Sequence, residues 1–350
     1  MRRAARVVLA TAAAALPALA PFAGAAAATS QSRTLVTVRD SRITESSGLA
    51  ASPTDPTVVW TVNDSGDSAR AFAVSLTSGR TVAVLRERTD ARDCEAMSSG
   101  RDASGRAMLW IGDIGDNRAV RTSVVLRLVR EPHSVRSTTV TPVDLRVRYP
   151  HGPADAETLI WTHDGRLLIV TKELFGGEVL QVPPAAVRTA LAGHSVESPA
   201  LARLVGTVSQ GLPTDGVALP DGRLVVRDYE GATVYAPPAY DGKALVPQAR
   251  LSWPTQDQGE TMAVVDGGRA VVVGSEGERE ALIRVDVPAA PSPPSPPSPP
   301  SGTAGGGAQP AAAPDTGRWV GAGLVAIAVL TVSGVLVHVL RTRERAARSR

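Results

Sequence analysis

Five times along this chain, a short stretch opening on an acid or small polar residue is followed by a turn and then by a run of β-branched or apolar residues. The openings are Ser47-Gly48-Leu49-Ala50, Glu95-Ala96-Met97-Ser98, Glu157-Thr158-Leu159-Ile160, Asp215-Gly216-Val217-Ala218 and Glu260-Thr261-Met262-Ala263, separated by 48, 62, 58 and 45 residues. Their partners read Val58-Val59-Trp60-Thr61-Val62, Met108-Leu109-Trp110-Ile111, Leu167-Leu168-Ile169-Val170, Leu224-Val225-Val226 and Ala270-Val271-Val272-Val273. Asp164-Gly165-Arg166, Asp221-Gly222-Arg223 and Gly267-Gly268-Arg269 are the clearest turns between them. Runs this short, bounded by glycine turns, are strands rather than helices. Self-similarity at such a period marks a repeat architecture.

Each unit has room for two more strands: 71–76 with 81–86, 123–129 with 143–149, 178–182 with 201–208, and 233–236 with 249–253. The fifth unit supplies 281–287 and then stops one strand short, while 34–39 stands unused before the first repeat. The spacing therefore predicts an all-β fold over 33–287, a β-propeller of five four-stranded blades closed by an N-terminal strand. Such closure removes the exposed sheet edge. A sixth blade fits only if a degenerate unit hides in the long second or third interval. A β-sandwich leaves the fivefold pattern and its missing strand unexplained.

If each opening strand is innermost, its first residue and the last residue of its antiparallel partner meet at one rim of the central channel. One column of rim positions reads Ser47, Glu95, Glu157, Asp215 and Glu260, and the other Asp64, Asp113, Lys172, Asp228 and Glu276. Two like charges about 6 Å apart at an effective dielectric near 20 repel by ~3 kcal/mol, so this collection requires compensation. Three arrangements supply it: hydrated loop ends, counterions such as Lys172 and Arg227, or a hard cation such as calcium, for which Glu95, Asp113, Glu157 and Asp215 are the expected ligands. Lys172 is one of only two lysines against 35 arginines, so its place in the rim is informative.

The flanks specify a compartment. Arg2, Arg3 and Arg6 precede an apolar, alanine-rich run with small residues at 26–28, which reads as a signal peptide over 1–28. Near the other end, 319–340 is a 22-residue stretch whose one strongly polar member is His338, and five arginines lie in the tail 341–350. It reads as a single transmembrane helix with a cytoplasmic tail and the large domain outside. The Pro/Ser/Gly-rich 288–317 reads as a stalk. Ala313-Pro314-Asp315-Thr316-Gly317 resembles a sortase sorting signal with alanine where leucine is usual, which implies cell-wall anchoring as the alternative.

Charge excludes one partner class. Nine of the 37 basic residues and two of the 34 acidic ones lie in these flanks, leaving 28 basic against 32 acidic in the middle, so no nucleic-acid partner is expected. The single cysteine, Cys94, forbids an internal disulfide, and the histidines show no metal-ligand spacing. No Gly-x-Ser-x-Gly elbow, P-loop or dinucleotide fingerprint is present.

Glu45-Ser46-Ser47-Gly48-Leu49, Asn63-Asp64-Ser65-Gly66, Asp93-Cys94-Glu95, Gly112-Asp113-Ile114-Gly115-Asp116-Asn117 and Asp155-Ala156-Glu157 resemble landmarks of secreted actinobacterial β-propellers grouped with the phytase-like or esterase-like propellers. Members commonly carry tryptophan inside the Asp-x-Glu motif, where Cys94 stands here. Two functions follow as expectations. The first is a membrane-anchored surface module binding a cell-wall, carbohydrate or protein ligand through its acidic rim. The alternative is a calcium-dependent phosphoesterase, the activity that the phytase-like resemblance implies.

Overall fold

The computed structural model describes residues 31–290. After an N-terminal strand β1 (Ser32–Thr37), β2 (Ser46–Ala51), β3 (Val58–Asn63), β4 (Arg70–Ser75) and β5 (Thr81–Glu87) form blade 1. Blade 2 holds β6 (Cys94–Arg101), β7 (Ala107–Asp113) and β8 (Val124–Arg130), then, after β9 (Thr138–Val140), β10 (Val143–Arg148). Blade 3 is β11 (Ala156–Trp161), β12 (Leu167–Thr171), β13 (Gly177–Gln181) and, after α1 (Pro184–Leu191) and β14 (Val196–Leu201), β15 (Arg203–Val208). Blade 4 is β16 (Asp215–Ala218), β17 (Leu224–Asp228), β18 (Gly231–Tyr235) and β19 (Pro247–Leu251). Blade 5 has only β20 (Thr261–Val265), β21 (Ala270–Gly274) and β22 (Ala281–Asp286) of its own, and β1 pairs antiparallel with β22 as its fourth strand. The protein is a five-bladed β-propeller, closed as the repeat count predicts.

The second strands explain why their sequences are continuously apolar rather than alternating. Val58, Trp60 and Val62 face the blade 1–2 core while Val59 faces the blade 5–1 core, and Met108 and Trp110 are divided in the same way from Leu109 and Ile111. Leu167 and Ile169 are likewise divided from Leu168 and Val170. A strand sandwiched between blades buries both faces, and both are therefore hydrophobic. One apolar cluster fills each of the five blade interfaces.

Two outer strands and a helix depart from the four-strand pattern. β9 lies parallel on β5 and β14 parallel on β10, so blades 1 and 2 each carry a fifth strand drawn from a later connection. Pro184 opens α1, where its missing N–H costs nothing, and Gly193 follows its end at φ 92°. The helix buries Val187 and Ala190 in the blade 2–3 core.

The expected signal peptide, membrane helix and basic tail, and nearly all of the stalk, lie outside the described residues. Among the described residues, no helix is long and apolar enough to cross a membrane.

Candidate functional site

The innermost strands β2, β6, β11, β16 and β20 surround the channel, each next to its neighbours in the ring. Their later halves carry small residues, and Ala50, Ser98, Val217 and Ala263 with Trp161 line a cavity of about 90 Å³. Their opening ends carry the acids. In β6 and β11 the opening residue is bulged out of register: Cys94 pairs with Asp113 and Ala96 with Gly112, leaving Glu95 unpaired, and Ala156 and Thr158 flank Glu157 in the same way. A bulge re-aims a side chain that regular pleating would hold in a blade interface. In β2 the bulge falls one residue later, on Gly48. Its φ is 72°, and a Cβ there would lie 2.3 Å from the Met97 nitrogen, so only glycine fits.

One carboxylate oxygen from each of Glu95, Glu157 and Glu260 lies within 4.8 Å of the other two, and all three residues are buried. Asp64, Asp93 and Glu95 form a second such group at the more open edge. Ser47 Oγ donates to Glu95 Oε2 at 3.0 Å and to the Glu95 carbonyl at 3.2 Å. Lys172 Nζ donates to Glu157 Oε1 and, at 2.8 Å, to the Tyr229 hydroxyl, which in turn donates to Glu260 Oε1 at 3.1 Å. Glu157 Oε2 is buried without a hydrogen-bond partner.

The electrostatics follow from burial. Glu95 and Glu157 are pushed well above the usual carboxylate range, first by desolvation and then by each other's neighbourhood of acids, and Lys172 opposes this in both. Asp64 is pushed up to about 7 by burial and then by Asp93, whose own carboxyl rises for the same first reason. Glu276 is pushed up to about 11 by burial and by Glu260. Desolvation alone would lower Lys172, but Glu157, Tyr229 and the other acids hold its ammonium well above the ordinary value.

Of the ten positions expected at the rim, Ser47, Asp64, Glu95, Glu157, Lys172, Glu260 and Glu276 are brought together here through the contacts and fields just described. The other three have their carboxylates engaged by other groups. Asp113 pairs with Cys94 as Thr171 pairs with Ala156, which sets it one residue short of the position that Lys172 holds. A one-residue offset reverses a strand's faces, and Asp113 accepts from Arg92 N at 2.9 Å, Arg121 at 2.8 Å and Arg127 at 3.0 Å. Its carboxyl is lowered because these donors outweigh its desolvation. Ile114 takes the rim position of blade 2 and is buried in the blade 2–3 core. The Gly115 beside it leaves space: a Cβ there would lie 2.6 Å from the Asp93 carboxyl and 2.8 Å from Glu95 Cγ.

Asp215 is fully buried and binds backbone, accepting from Gly216 N at 2.7 Å and Met262 N at 2.6 Å across blades 4 and 5. Asp228 accepts from the Glu230 and Gly231 amides in its own turn and from both terminal nitrogens of Arg250. The four ligands expected for a cation therefore do not lie together: Glu95 and Glu157 meet Glu260, while Asp113 and Asp215 have their oxygens occupied. Arg227, a candidate rim counterion from the sequence, is fully buried and donates to the Thr261 and Gly274 carbonyls and to Gln256.

Two participants were not placed at the rim from sequence. Asp93 opens the Asp93-Cys94-Glu95 motif, and that spacing is the signal that could have included it. Tyr229 directly follows Asp228 after β17, and its phenol reaches the site that Asp228 turns away from. Cys94, held at 2.8 Å from Arg127 in the blade 1–2 interior, is a packed thiol whose burial pushes it up to about 12.

The residues present fit a hard divalent cation. The donors are all oxygen, as calcium requires, and the buried orphan Glu157 Oε2 has the unmet bonding capacity that a ligand oxygen would show.

No protein-family model matches the sequence, and no curated protein matches it. Among solved structures, a gluconolactonase from Xanthomonas campestris aligns at 11% identity over 75% of this chain and 92% of its own, with TM-score 0.44. The PQQ-bound aldose sugar dehydrogenase of Streptomyces coelicolor aligns at 14% identity over 74% and 98%, with TM-score 0.42. The soluble aldose sugar dehydrogenase of Escherichia coli aligns at 9% over 74% and 99%, with TM-score 0.45. The propeller assignment rests on the chain's own five sheets.

Proposed function

We propose that this propeller is a divalent-cation-dependent ester hydrolase, with calcium the fitting ion and Glu95, Glu157 and Glu260 its holders. The observation that carries the reading is the three-glutamate group at the channel mouth with one buried, unpartnered oxygen on Glu157. A cation bound there would polarise a substrate oxygen and acidify a water molecule. The chain's own groups supply the remainder. Tyr229 and Lys172 are hydrogen-bond donors beside the glutamates, placed to receive charge that develops on a substrate oxygen.

Substrate charge is restricted by the same geometry. Asp64, Asp93, Glu95, Glu157, Glu260 and Glu276 share the mouth with the ammonium of Lys172. Lys172 is the one cationic side chain described at this mouth, so a polyanionic phosphate finds few positive partners there, and neutral or singly charged esters are favoured over the phytate-like substrates that the sequence resemblance implies. A macromolecular docking role for this rim is disfavoured because Ser47, Glu95, Glu157, Asp215 and Glu260 are buried rather than presented. The leader, stalk and membrane segment read from the sequence support an extracytoplasmic, membrane-anchored enzyme.

The test is hydrolysis of a panel of carboxylic and phosphoric monoesters by the purified protein, in calcium and in chelator. We expect calcium-dependent release from carboxylic esters that Glu157→Gln abolishes. Hydrolysis that survives both chelator and Glu157→Gln would refute the proposal, as would no hydrolysis of any ester.

A further inference from the structure

We infer that Lys172 is a tethered counterion that competes with the divalent cation for the glutamates, and so sets the cation affinity of the site. This rests on the cation reading above and goes beyond it, since it assigns the residue that determines when the site fills. Lys172 Nζ bonds Glu157 Oε1, on the same carboxylate whose other oxygen is buried and unpartnered. The ammonium thus stands at the group that a cation would use. Lys172 Nζ also donates to the Tyr229 hydroxyl at 2.8 Å, and that hydroxyl donates on to Glu260 Oε1 at 3.1 Å, so one ammonium already occupies the space between two of the three glutamates.

The choice of side chain supports displacement rather than permanent cement. Where another buried carboxylate is held by an ion pair among the described residues, the cation is arginine: Arg127 on Glu87 and Asp113, Arg121 on Asp113, Arg130 on Asp102, and Arg250 on Asp228. The chain has 35 arginines and two lysines, and the other lysine, Lys243, is an exposed residue paired with Asp241 in its own turn. A lysine is a compact point charge on a flexible four-carbon stem, whereas a guanidinium locks a carboxylate through a planar fork. Lys172 directly follows β12, immediately before a turn whose tip, Leu174 and Phe175, is exposed, so it sits on a connection rather than inside a blade. Tyr229, beneath the ammonium with its ring centroid 5.2 Å away, is the resting contact for the inward state.

Calorimetric titration of calcium, with thermal unfolding in chelator and in calcium, separates the roles. Lys172→Met should bind calcium at least about tenfold more tightly than the native protein, equivalent to ~1.4 kcal/mol. In chelator it should melt below the native protein, and saturating calcium should reverse that order. Lys172→Arg should weaken calcium binding, because the fork is harder to displace. Tyr229→Phe, which keeps the charge but removes one hydrogen bond to it, should tighten calcium by a smaller factor than Lys172→Met. Equal or weaker calcium binding by Lys172→Met overturns the inference while leaving the cation site intact, and so does a Lys172→Met protein that fails to fold even in calcium. If neither the native protein nor Lys172→Met binds calcium, the cation reading and this inference both fall.

Discussion

Arg127 offers the most direct test of how the propeller holds an acid away from its channel. Its side chain is 2% exposed, and it donates through Nε to Glu87 at 2.7 Å, through Nη1 to Asp113 at 3.0 Å and through Nη2 to the Cys94 sulfur at 2.8 Å. Arg127→Met keeps most of the volume but removes every one of these bonds. Asp113 retains Arg121 and the Arg92 amide, whereas Glu87, whose Oε1 is already unpartnered, loses its guanidinium. Breaking a buried pair from one side costs about 3–5 kcal/mol. In a domain of this size each kcal/mol moves the melting temperature by about 2–4 °C, so we expect a fall of roughly 6–20 °C. Burial already pushes the Glu87 carboxyl upward, so the orphaned group takes a proton more readily, and the penalty should be smaller at pH 5 than at pH 8. Thermal and urea unfolding of Arg127→Met, Glu87→Gln and the double variant measure this. The double variant should recover more than half of the loss. A single-variant cost below about 1 kcal/mol, a size usual for exposed pairs, would refute the reasoning.

Further outcomes follow from the same geometry. Asp113→Asn and Asp215→Asn should lower stability but leave calcium affinity within about twofold by calorimetry, because their oxygens serve Arg121, Arg127 and backbone amides rather than the cluster. Asp64 has a folded value of about 7 against an ordinary 3.8, so the folded state binds more protons between those values. The stability it contributes is full below about pH 4 and is lost as pH rises to 7, a slope that urea midpoints should show, that Asp64→Asn should flatten, and that calcium should reduce. Gly48→Ala should cost several kcal/mol, against about 1–2 for Gly66→Ala, because both need positive φ but only Gly48 faces backbone where a Cβ would go.

Much of the fold could be read from the chain because its repeat unit is short and its blade interfaces are alike. The Val58–Trp60, Leu167–Val170 and Ala270–Val273 runs are apolar on both faces for one reason, and the strand missing after 287 had one candidate, at 34–39. What escaped was non-local or polar. β9 and β14 are short edge additions whose partners lie far along the chain, and β14 reads Val-Glu-Ser-Pro-Ala-Leu, with little strand character. α1 sits inside a connection, where its one buried face, Val187 and Ala190, is too brief for a period to show.

The site divides similarly. Alignment of the opening strands placed Glu95, Glu157 and Glu260 in one column, and their side chains do converge. The second column is offset in blade 2, where the acid Asp113 stands one residue before the rim and Ile114 holds the place equivalent to Lys172. Asp215 and Asp228 occupy the expected columns, but backbone donors and Arg250 claim them. Which acids are claimed depends on donors brought from other blades, and no single-sequence spacing encodes those. The bulges that turn Glu95 and Glu157 into the channel are also a property of pairing, invisible until β7 and β12 are laid beside them.

Three glutamates from blades 2, 3 and 5 together are proposed to hold a hard cation. Anomalous diffraction from crystals of the protein soaked in calcium tests this directly. A peak is expected within bonding distance of Glu95, Glu157 and Glu260, with Lys172 Nζ moved off Glu157. Full calcium occupancy at Asp113 or Asp215, or an empty channel mouth with Lys172 still on Glu157, would contradict the proposal.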